Sequence, residues 1–287
     1  MFRKVTIVGV GLMGGSLGKA IKKHNLAREV VGLSLRQTAL VEAIKAGAID
    51  DGQTDPQIAL RNADLVVLAA PVDAIIKMFP TINPHIKRGC IVTDLGSSKS
   101  EVVEAAEKTL SAPYFFIGGH PLVGSEKKGV ENADADLFNG ALIIMTPTEK
   151  TSKVVKEKMK FFWNKLGANV KILTAQEHDE ALAYVSHLPH LLAFGLMETV
   201  PAQFLEFTPR SLKDTTRIAS SSPQMWNDIC MTNAKNVVKS LDQFVDLLGQ
   251  IRLAIVERND RALIQHFEKA KNKRDGITTT APQPEKT

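Results

Sequence analysis

Three glycines directly after the first apolar run of the chain have a spacing suited to binding a phosphate. They are Gly9, Gly11 and Gly14, in the pattern G-x-G-x-x-G before a helical stretch. In such a turn the first glycine allows the tight bend, the second lets the backbone approach a pyrophosphate, and the third lets helix and strand pack closely. The alternative is a glycine turn that binds nothing. We assign a dinucleotide site to these glycines and to four further residues: Leu12, Met13, Ala70 and Pro71.

The end of the second apolar run bears on the choice between NAD and NADP. An NAD site usually carries Asp or Glu about 20 residues after the glycines, where the carboxylate bonds the ribose hydroxyls. Here that position is Ser34, and Arg36 follows it. Serine does not repel a 2′-phosphate and arginine can pair with one, so the sequence favours NADP. The alternative is that Arg36 is a solvated loop residue.

Two polar segments follow later apolar runs and contain candidate catalytic residues. Residues 93–99 include Ser97, and residues 118–126 include His120. In a doubly wound sheet, loops at the carboxyl ends of the strands border the ligand crevice. An imidazole held there can act near neutral pH as a base and then as an acid. We therefore predict that His120 lies on a loop and manages the alcohol proton during a hydride transfer.

The second half of the chain offers polar residues for a substrate. His187 and His190 lie three residues apart and can share a helix face, which admits a metal site, but no spacing identifies a third ligand. Arg217 lies among small Thr and Ser residues, where a guanidinium can engage a carboxylate with two bonds. The alternatives are a histidine bonded within a helix pair and a structural ion pair between helices. We predict no metal.

Short β-branched runs alternate with helical stretches up to about residue 146, which is typical of βαβ units and a parallel sheet. Beyond a Thr-Pro-Thr break, helical periodicity dominates apart from a possible strand at 170–173, and Pro189 should kink its helix or mark its opening turn. We predict an α/β Rossmann-like domain at 1–148, an all-α domain at 149–277 and a flexible tail at 278–287. The predicted strands are residues 5–8, 30–33, 65–70, 91–93, 114–117 and 141–145.

Composition excludes several classes of protein. A chain of 287 residues, 44% hydrophobic, can bury a core without covalent staples. The net charge of +5 is spread thinly apart from a C-terminal lysine cluster and only 6% of residues are aromatic, which argues against nucleic acid as a partner. The longest uncharged stretch, residues 181–197, is shorter than the roughly 20 apolar residues of a membrane span. Two cysteines and the absence of a targeting pattern favour the cytoplasm.

Taken together and in order along the chain, these motifs resemble the prephenate/arogenate dehydrogenase family of tyrosine biosynthesis. The resemblance rests on the glycine turn, residues 94–99, the Gly-His-Pro at 119–121, the run at 186–190 and the stretch at 214–226. It implies a Rossmann-like domain followed by an all-helical domain through which two subunits form a homodimer. It also implies an oxidative decarboxylation: a hydride leaves the ring carbon that bears the 4-hydroxyl, the ring carboxylate departs as CO2, and a phenol forms.

The resemblance also implies roles for individual residues. His120 would take the proton of the ring hydroxyl, Ser97 would orient His120 and the nicotinamide, and Arg217 would bind a substrate carboxylate. Because some arogenate-specific relatives have an apolar residue at the position of His190, we lean toward prephenate or dual use. Two alternatives are another Rossmann-plus-helical hydroxyacid dehydrogenase and a non-catalytic nucleotide-binding protein. The residues that would line or border the substrate end of the cleft are His187, His190, Glu126 and Trp226.

Overall fold

An eight-stranded sheet forms the frame of the protein in the computed structural model, which describes residues 1–110, 115–123 and 127–279. Its strands are β1 (Phe2–Val8), β2 (Ala27–Leu33), β3 (Asp51–Gln53), β4 (Leu65–Leu68), β5 (Ile91–Asp94), β6 (Phe115–Leu122), β7 (Leu142–Thr146) and β8 (Asn169–Ile172). The order across the sheet is β3-β2-β1-β4-β5-β6-β7-β8. The first six strands are parallel and have the order of the doubly wound dinucleotide-binding fold, which confirms the predicted fold class.

Helices cover both faces of the sheet, and the chain after β8 is helical. Helices α1, α2 and α6 pack on one face and α3, α4 and α5 on the other, and the remaining helices follow β8. The bounds are α1 (Leu12–Lys23), α2 (Gln37–Lys45), α3 (Pro56–Leu60), α4 (Val72–Ile82), α5 (Ser100–Thr109), α6 (Lys153–Lys165), α7 (Ala175–Leu182), α8 (Leu188–Thr199), α9 (Arg210–Thr216), α10 (Pro223–Thr232), α11 (Ala234–Val256) and α12 (Asp260–Thr279).

Strand β4 shows why this sheet needs two helical layers. All four of its residues are apolar and buried. Leu65 and Val67 belong to the apolar cluster on one face, and Val66 and Leu68 belong to the cluster on the other. Because successive side chains of a strand point to opposite faces, a continuous apolar run is stable only when both faces are covered.

The sheet differs from the predicted one beyond β5. Strand β6 extends five residues past the predicted end at residue 117, and it pairs antiparallel with β7. Strand β8 then pairs parallel with β7, so the short run near residue 170 belongs to the sheet. The short edge strand β3 was not predicted from its polar residues. The sheet therefore continues past residue 148, and the predicted domain boundaries stay a prediction.

The chain forms two compact units, Met1–Val237 and the part that begins at Val238. In the second unit α11 continues to Val256 and a turn at Arg258, which has φ +53°, leads to α12. This helical pair exposes many apolar side chains, among them Val245, Leu248, Ile255, Ile264 and Phe267. Within the described residues no helix is long and apolar enough to cross a membrane. Of the predicted tail, residues 280–287 lie outside the described part, and α12 runs to Thr279.

Candidate active site

The glycine turn joins β1 to α1 and leaves the helix N-terminus accessible. Gly9 has φ +93°, a conformation that side chains rarely adopt, and a Cβ there would collide with the carbonyl of Ala69 after β4. A Cβ on Gly14 would collide with the Gly9 carbonyl, so helix and turn are in close contact. A Cβ on Gly11 would meet nothing within 4 Å. Gly11 directly precedes α1, so an anion can approach the free N–H groups of this helix, and these residues fit a dinucleotide pyrophosphate.

The other predicted cofactor residues lie at neighbouring strand ends. Ala70 and Pro71 follow β4, with Pro71 directly before α4, and β4 pairs with β1. Ser34 follows β2, and its Oγ accepts a hydrogen bond from the backbone N–H of Arg36 at 3.2 Å. Arg36 is exposed and immediately precedes α2, and Leu12 and Met13 form the first turn of α1. The carboxyl ends of adjacent parallel strands therefore carry all of these residues.

His120 lies in strand β6, so the prediction that it sits on a loop was wrong. Gly118, Gly119 and Pro121 have low strand propensity, yet this segment pairs with β7, where His120 is opposite Ile144. Pro121, which has no N–H to donate, is tolerated because β5 pairs with β6 only as far as Ile117. The strand gives the imidazole a fixed and nearly buried position, with 8% of the residue exposed.

A chain of hydrogen bonds runs from His120 to a buried carboxylate on α7. The Nδ1 of His120 lies 2.8 Å from Nε2 of His178, and Nδ1 of His178 lies 2.8 Å from Oδ1 of Asp179. The carboxylate also accepts the backbone N–H of Lys99 at 2.7 Å and that of Ser100 at 2.8 Å. It therefore caps the N-terminus of α5, where a negative charge is stabilised.

The carboxylate fixes the tautomers of both rings. An ionised carboxylate can only accept, so Nδ1 of His178 carries the proton and Nε2 accepts. Nδ1 of His120 must then donate, which leaves the lone pair of His120 on Nε2. This arrangement makes Nε2 of His120 a base, and the imidazolium formed by protonation is stabilised through His178 by Asp179.

Burial determines which of these groups is charged. Desolvation is the main cause that holds the pKa of His120 well below its usual 6.5, and the positive charge of Lys99 acts in the same direction, so the ring is neutral at pH 7. Desolvation also lowers the pKa of His178, against the opposing bond to Asp179. Burial acts to raise the pKa of Asp179, but the hydrogen bonds from His178 and Ser100 outweigh it, and the pKa is lowered. In this chain of hydrogen bonds, His120 and His178 are therefore neutral and Asp179 is anionic.

The predicted substrate residues lie on the helices that follow α7. Residues Ala183–His187 form a π-helical turn, and Pro189 lies in the first turn of α8, as one of the two predictions for it required. His190 stacks on Trp226 of α10, with ring centroids 3.7 Å apart and planes at 24°. Desolvation lowers the pKa of His190 against the opposing hydrogen bond to the Ser186 carbonyl, and the positive charge of Arg217, in the turn that packs against α8, lowers it as well.

Two buried nitrogens beside this stack lack a hydrogen bond of good geometry among the described residues. They are Nε2 of His187 and Nε1 of Trp226, on rings whose centroids are 6.0 Å apart. Asn233 Nδ2 lies 3.2 Å from Nδ1 of His187 and donates to it, so Nε2 of His187 carries a proton. Burial lowers the pKa of His187 to about 4, so this ring is neutral. The ring of His187 has the backbone of Ser97 beside it, whereas Nε1 of Trp226 is a donor that an acceptor oxygen of a ligand would satisfy.

Sequence reasoning missed His178, Asp179 and Asn233 as site residues, and the roles that it gave to Ser97 and Glu126 stay predictions. Asn233 also donates to the backbone carbonyl of Asp179 at 2.8 Å, which ties the end of α10 to α7. Ser97 is half-buried in the loop between β5 and α5, with its backbone next to the ring of His187. Glu126 lies outside the described residues. The capping box of Thr174 and Glu177 was the available signal for where α7 begins, and hence for a turn that carries His178.

The fold and this site define a two-part dehydrogenase that binds a nicotinamide dinucleotide. The family model for the nucleotide-binding domain of prephenate dehydrogenase matches residues 17–172, and the model for its dimerization domain matches residues 174–269. The chain belongs to the prephenate dehydrogenase family. This finding confirms the resemblance and the predicted class of enzyme, an NAD(P)-dependent oxidoreductase of tyrosine biosynthesis.

Individual relatives match almost the whole chain in sequence and in structure. It is 33% identical to the prephenate dehydrogenase of Bacillus subtilis over 95% of its length and 76% of that protein. It is 30% identical to the cyclohexadienyl dehydrogenase of Zymomonas mobilis over 97% of each. The crystal structure of prephenate dehydrogenase from A. aeolicus in complex with hydroxyphenyl propionate and NAD+ superposes with a TM-score of 0.89 and 33% identity, covering 96% of this chain and 99% of that one.

Removing the negative charge of Asp179 should weaken the base. In Asp179→Asn the amide oxygen can take the Oδ1 position and accept from the backbone N–H of Lys99 and from Nδ1 of His178, so the tautomers persist, while the NH2 group opposes the N–H of Ser100. We expect kcat to fall by about 10²-fold or more, because the charge that stabilises the protonated ring of His120 is lost. Cofactor affinity, measured by fluorescence titration, should change little.

The matched control for this variant is Asp136→Asn, which removes an exposed carboxylate paired with Lys23. It should leave kcat unchanged. A kcat within twofold of the parent in a folded Asp179→Asn protein would contradict the role given to the charge of Asp179.

Proposed function

We propose that the protein catalyses the NADP-dependent oxidative decarboxylation of prephenate to 4-hydroxyphenylpyruvate, with arogenate as a possible second substrate. The observation that carries this proposal is the chain from His120 through His178 to Asp179, which presents a neutral base at the carboxyl end of β6. The neighbouring ends of β1, β4 and β5 carry the glycine turn and the loop of Ser97. Family membership supplies the reaction, and the geometry supplies residues able to perform it.

His120 acts on the ring hydroxyl of the substrate. Its Nε2 accepts the hydroxyl proton while the hydrogen on the same carbon leaves as hydride, and the bond to the ring carboxylate then breaks to release CO2. The cofactor, held by the glycine turn, supplies the hydride acceptor. A positioned base of this kind contributes about 10²- to 10⁴-fold to the rate. Ser97 would help to orient the ring of His120, as the family resemblance implies.

A dicarboxylate substrate accounts for the polar groups on α8 to α10. Arg217 would bind a carboxylate, and one charge-assisted hydrogen bond contributes about 1.5–3 kcal/mol. The buried Nε1 of Trp226 would donate to a substrate oxygen, which gives its lack of a partner among the described residues a functional explanation, and His187 would line the same end of the cleft. His190, held over Trp226 by the stack, favours prephenate or dual use. Glu126 would border the same end of the cleft.

We also propose that the protein is a homodimer formed through its helical part and that it works in the cytoplasm. The match to a dimerization domain and the exposed apolar side chains of α11 and α12 support the dimer, since a helical pair cannot cover such a face alone. The free thiols of Cys90 and Cys230 agree with a reducing compartment.

The proposed reaction is tested by mixing purified protein with NADP or NAD and with prephenate or arogenate, while following the absorbance of the reduced cofactor. We expect turnover with prephenate and NADP. In His120→Asn we expect turnover to fall by about 10²- to 10⁴-fold with cofactor binding preserved. His24→Asn, at the exposed end of α1, is the control. If none of the four combinations formed reduced cofactor, the proposed function would be refuted. Full activity of His120→Asn would show that His120 is not the base.

The cofactor preference is tested at Arg36. Arg36→Ala should raise the KM for NADP about tenfold or more, the effect of losing one charge-assisted bond, and leave the KM for NAD within about twofold. Arg28→Ala is a matched control, because Arg28 is exposed at the opposite end of β2. Steady-state kinetics with each cofactor decides between the outcomes. An NAD preference in the parent that survives Arg36→Ala would contradict the NADP proposal.

A further inference from the structure

An ion pair from which solvent is fully excluded joins the last residue of β5 to the residue before α5. Nζ of Lys99 contacts Oδ2 of Asp94, and both side chains have 0% exposure. The pair closes the loop that carries Gly96 and Ser97, since Asp94 Oδ2 also accepts the N–H of Gly96 at 2.8 Å. Taking two charges out of water is costly, and well-packed apolar residues often stabilise a fold equally well. Fold stability alone therefore gives a weak reason for this pair.

Asp94 also holds the strand that carries His120. Its Oδ1 accepts the backbone N–H of Gly119, the residue before His120, at 3.2 Å. Strand and pair are packed without spare room: a Cβ on Gly118 would lie 3.2 Å from Cδ of Lys99, and one on Gly119 would lie 2.9 Å from the Asp94 carbonyl oxygen. The two glycines that obscured β6 in the sequence therefore allow the strand to approach the ion pair.

Lys99 holds the other end of the same chain. Its backbone N–H donates to Oδ1 of Asp179, the oxygen that also accepts from His178. One short loop thus fixes the peptide in front of His120 through Asp94 and the carboxylate behind His178 through Lys99. The charged or titratable groups that face the pair are His120 from β6 and His178 and Asp179 from α7.

We propose that Lys99 and Asp94 are positioning residues for the base, and that their buried pair fixes the location of His120. This proposal rests on the proposed role of His120 as the base. A misplacement of about 1 Å can cost about 10²-fold in rate, so a rigid support on both sides of the ring has a direct kinetic value. The ammonium of Lys99 lowers the pKa of His120, while Asp94 balances that charge without contacting the ring nitrogen that acts.

The test compares Lys99→Met with the double variant Lys99→Met/Asp94→Asn. Lys99→Met removes the cation and leaves Asp94 buried and unpaired, so the pKa of His120 should rise by about half a unit or more. The acid limb of the kcat/KM pH profile should move upward with it. In the double variant, which has no unpaired charge, the pKa should return toward that of the parent. We expect kcat to fall about tenfold or more in both variants, with KM for the substrate within about threefold.

Lys87→Met is the matched control, because Lys87 forms a partly buried ion pair with Asp64 near the amino ends of β4 and β5, away from His120. It should change neither kcat nor the pH profile. If Lys99→Met does not fold, the kcat of the double variant decides, since that variant removes both buried charges. A folded Lys99→Met with parental kcat and an unchanged His120 titration would overturn the proposal, and so would a folded double variant with parental kcat.

NMR titration of His120 in the protein without substrate separates this inference from the proposed function. The titration needs no turnover, so it can show the shift in Lys99→Met even if none of the four substrate and cofactor combinations reacts. An unchanged His120 titration together with a parental kcat in an active Lys99→Met enzyme would refute the positioning pair and leave the proposed function intact.

Discussion

The structure depends on one buried carboxylate, that of Asp179. Removal from water acts against its charge, and the carboxylate stays ionised because it accepts hydrogen bonds from the backbone N–H groups of Lys99 and Ser100 and from the ring of His178. Each of these donors belongs to an element of the site: the loop after β5, the first turn of α5, and the α7 helix. The carboxylate therefore orders the base and joins the sheet to the helices that carry the substrate residues.

The fold explains how a few polar contacts are enough to position the site residues. Parallel strands β1, β4, β5 and β6 lie side by side, so their carboxyl ends bring the glycine turn, the ion-paired loop and His120 to one edge. Covered on both faces, the sheet cannot shift without disturbing two apolar clusters. Packing consequently fixes the strand ends, and the hydrogen bonds of Asp94 and Asp179 position His120 and select its tautomer.

The sequence predicts best what depends on local pattern. The glycine turn, the continuous apolar strand β4 and the position of Pro189 follow from spacing and backbone restrictions over a few residues. The strand extension at Gly118 to Leu122 does not, because glycine and proline oppose it locally and only pairing with β7 compensates. Long-range contacts were also missed: His120 and His178 are 58 positions apart, and nothing in either segment indicates the other. His178 carries no distinguishing motif apart from the helix cap before it.

The most direct test of this account is the protonation state of His120, measured by ¹⁵N NMR of the ring nitrogens at pH 7, with assignment by comparison with His120→Asn. The account predicts a neutral ring that carries its proton on Nδ1 and a lone pair on Nε2, with the same tautomer in His178 and the opposite one in His187. A charged His120 ring, or a proton on its Nε2, would contradict the claim that the buried carboxylate of Asp179 prepares this residue as the base.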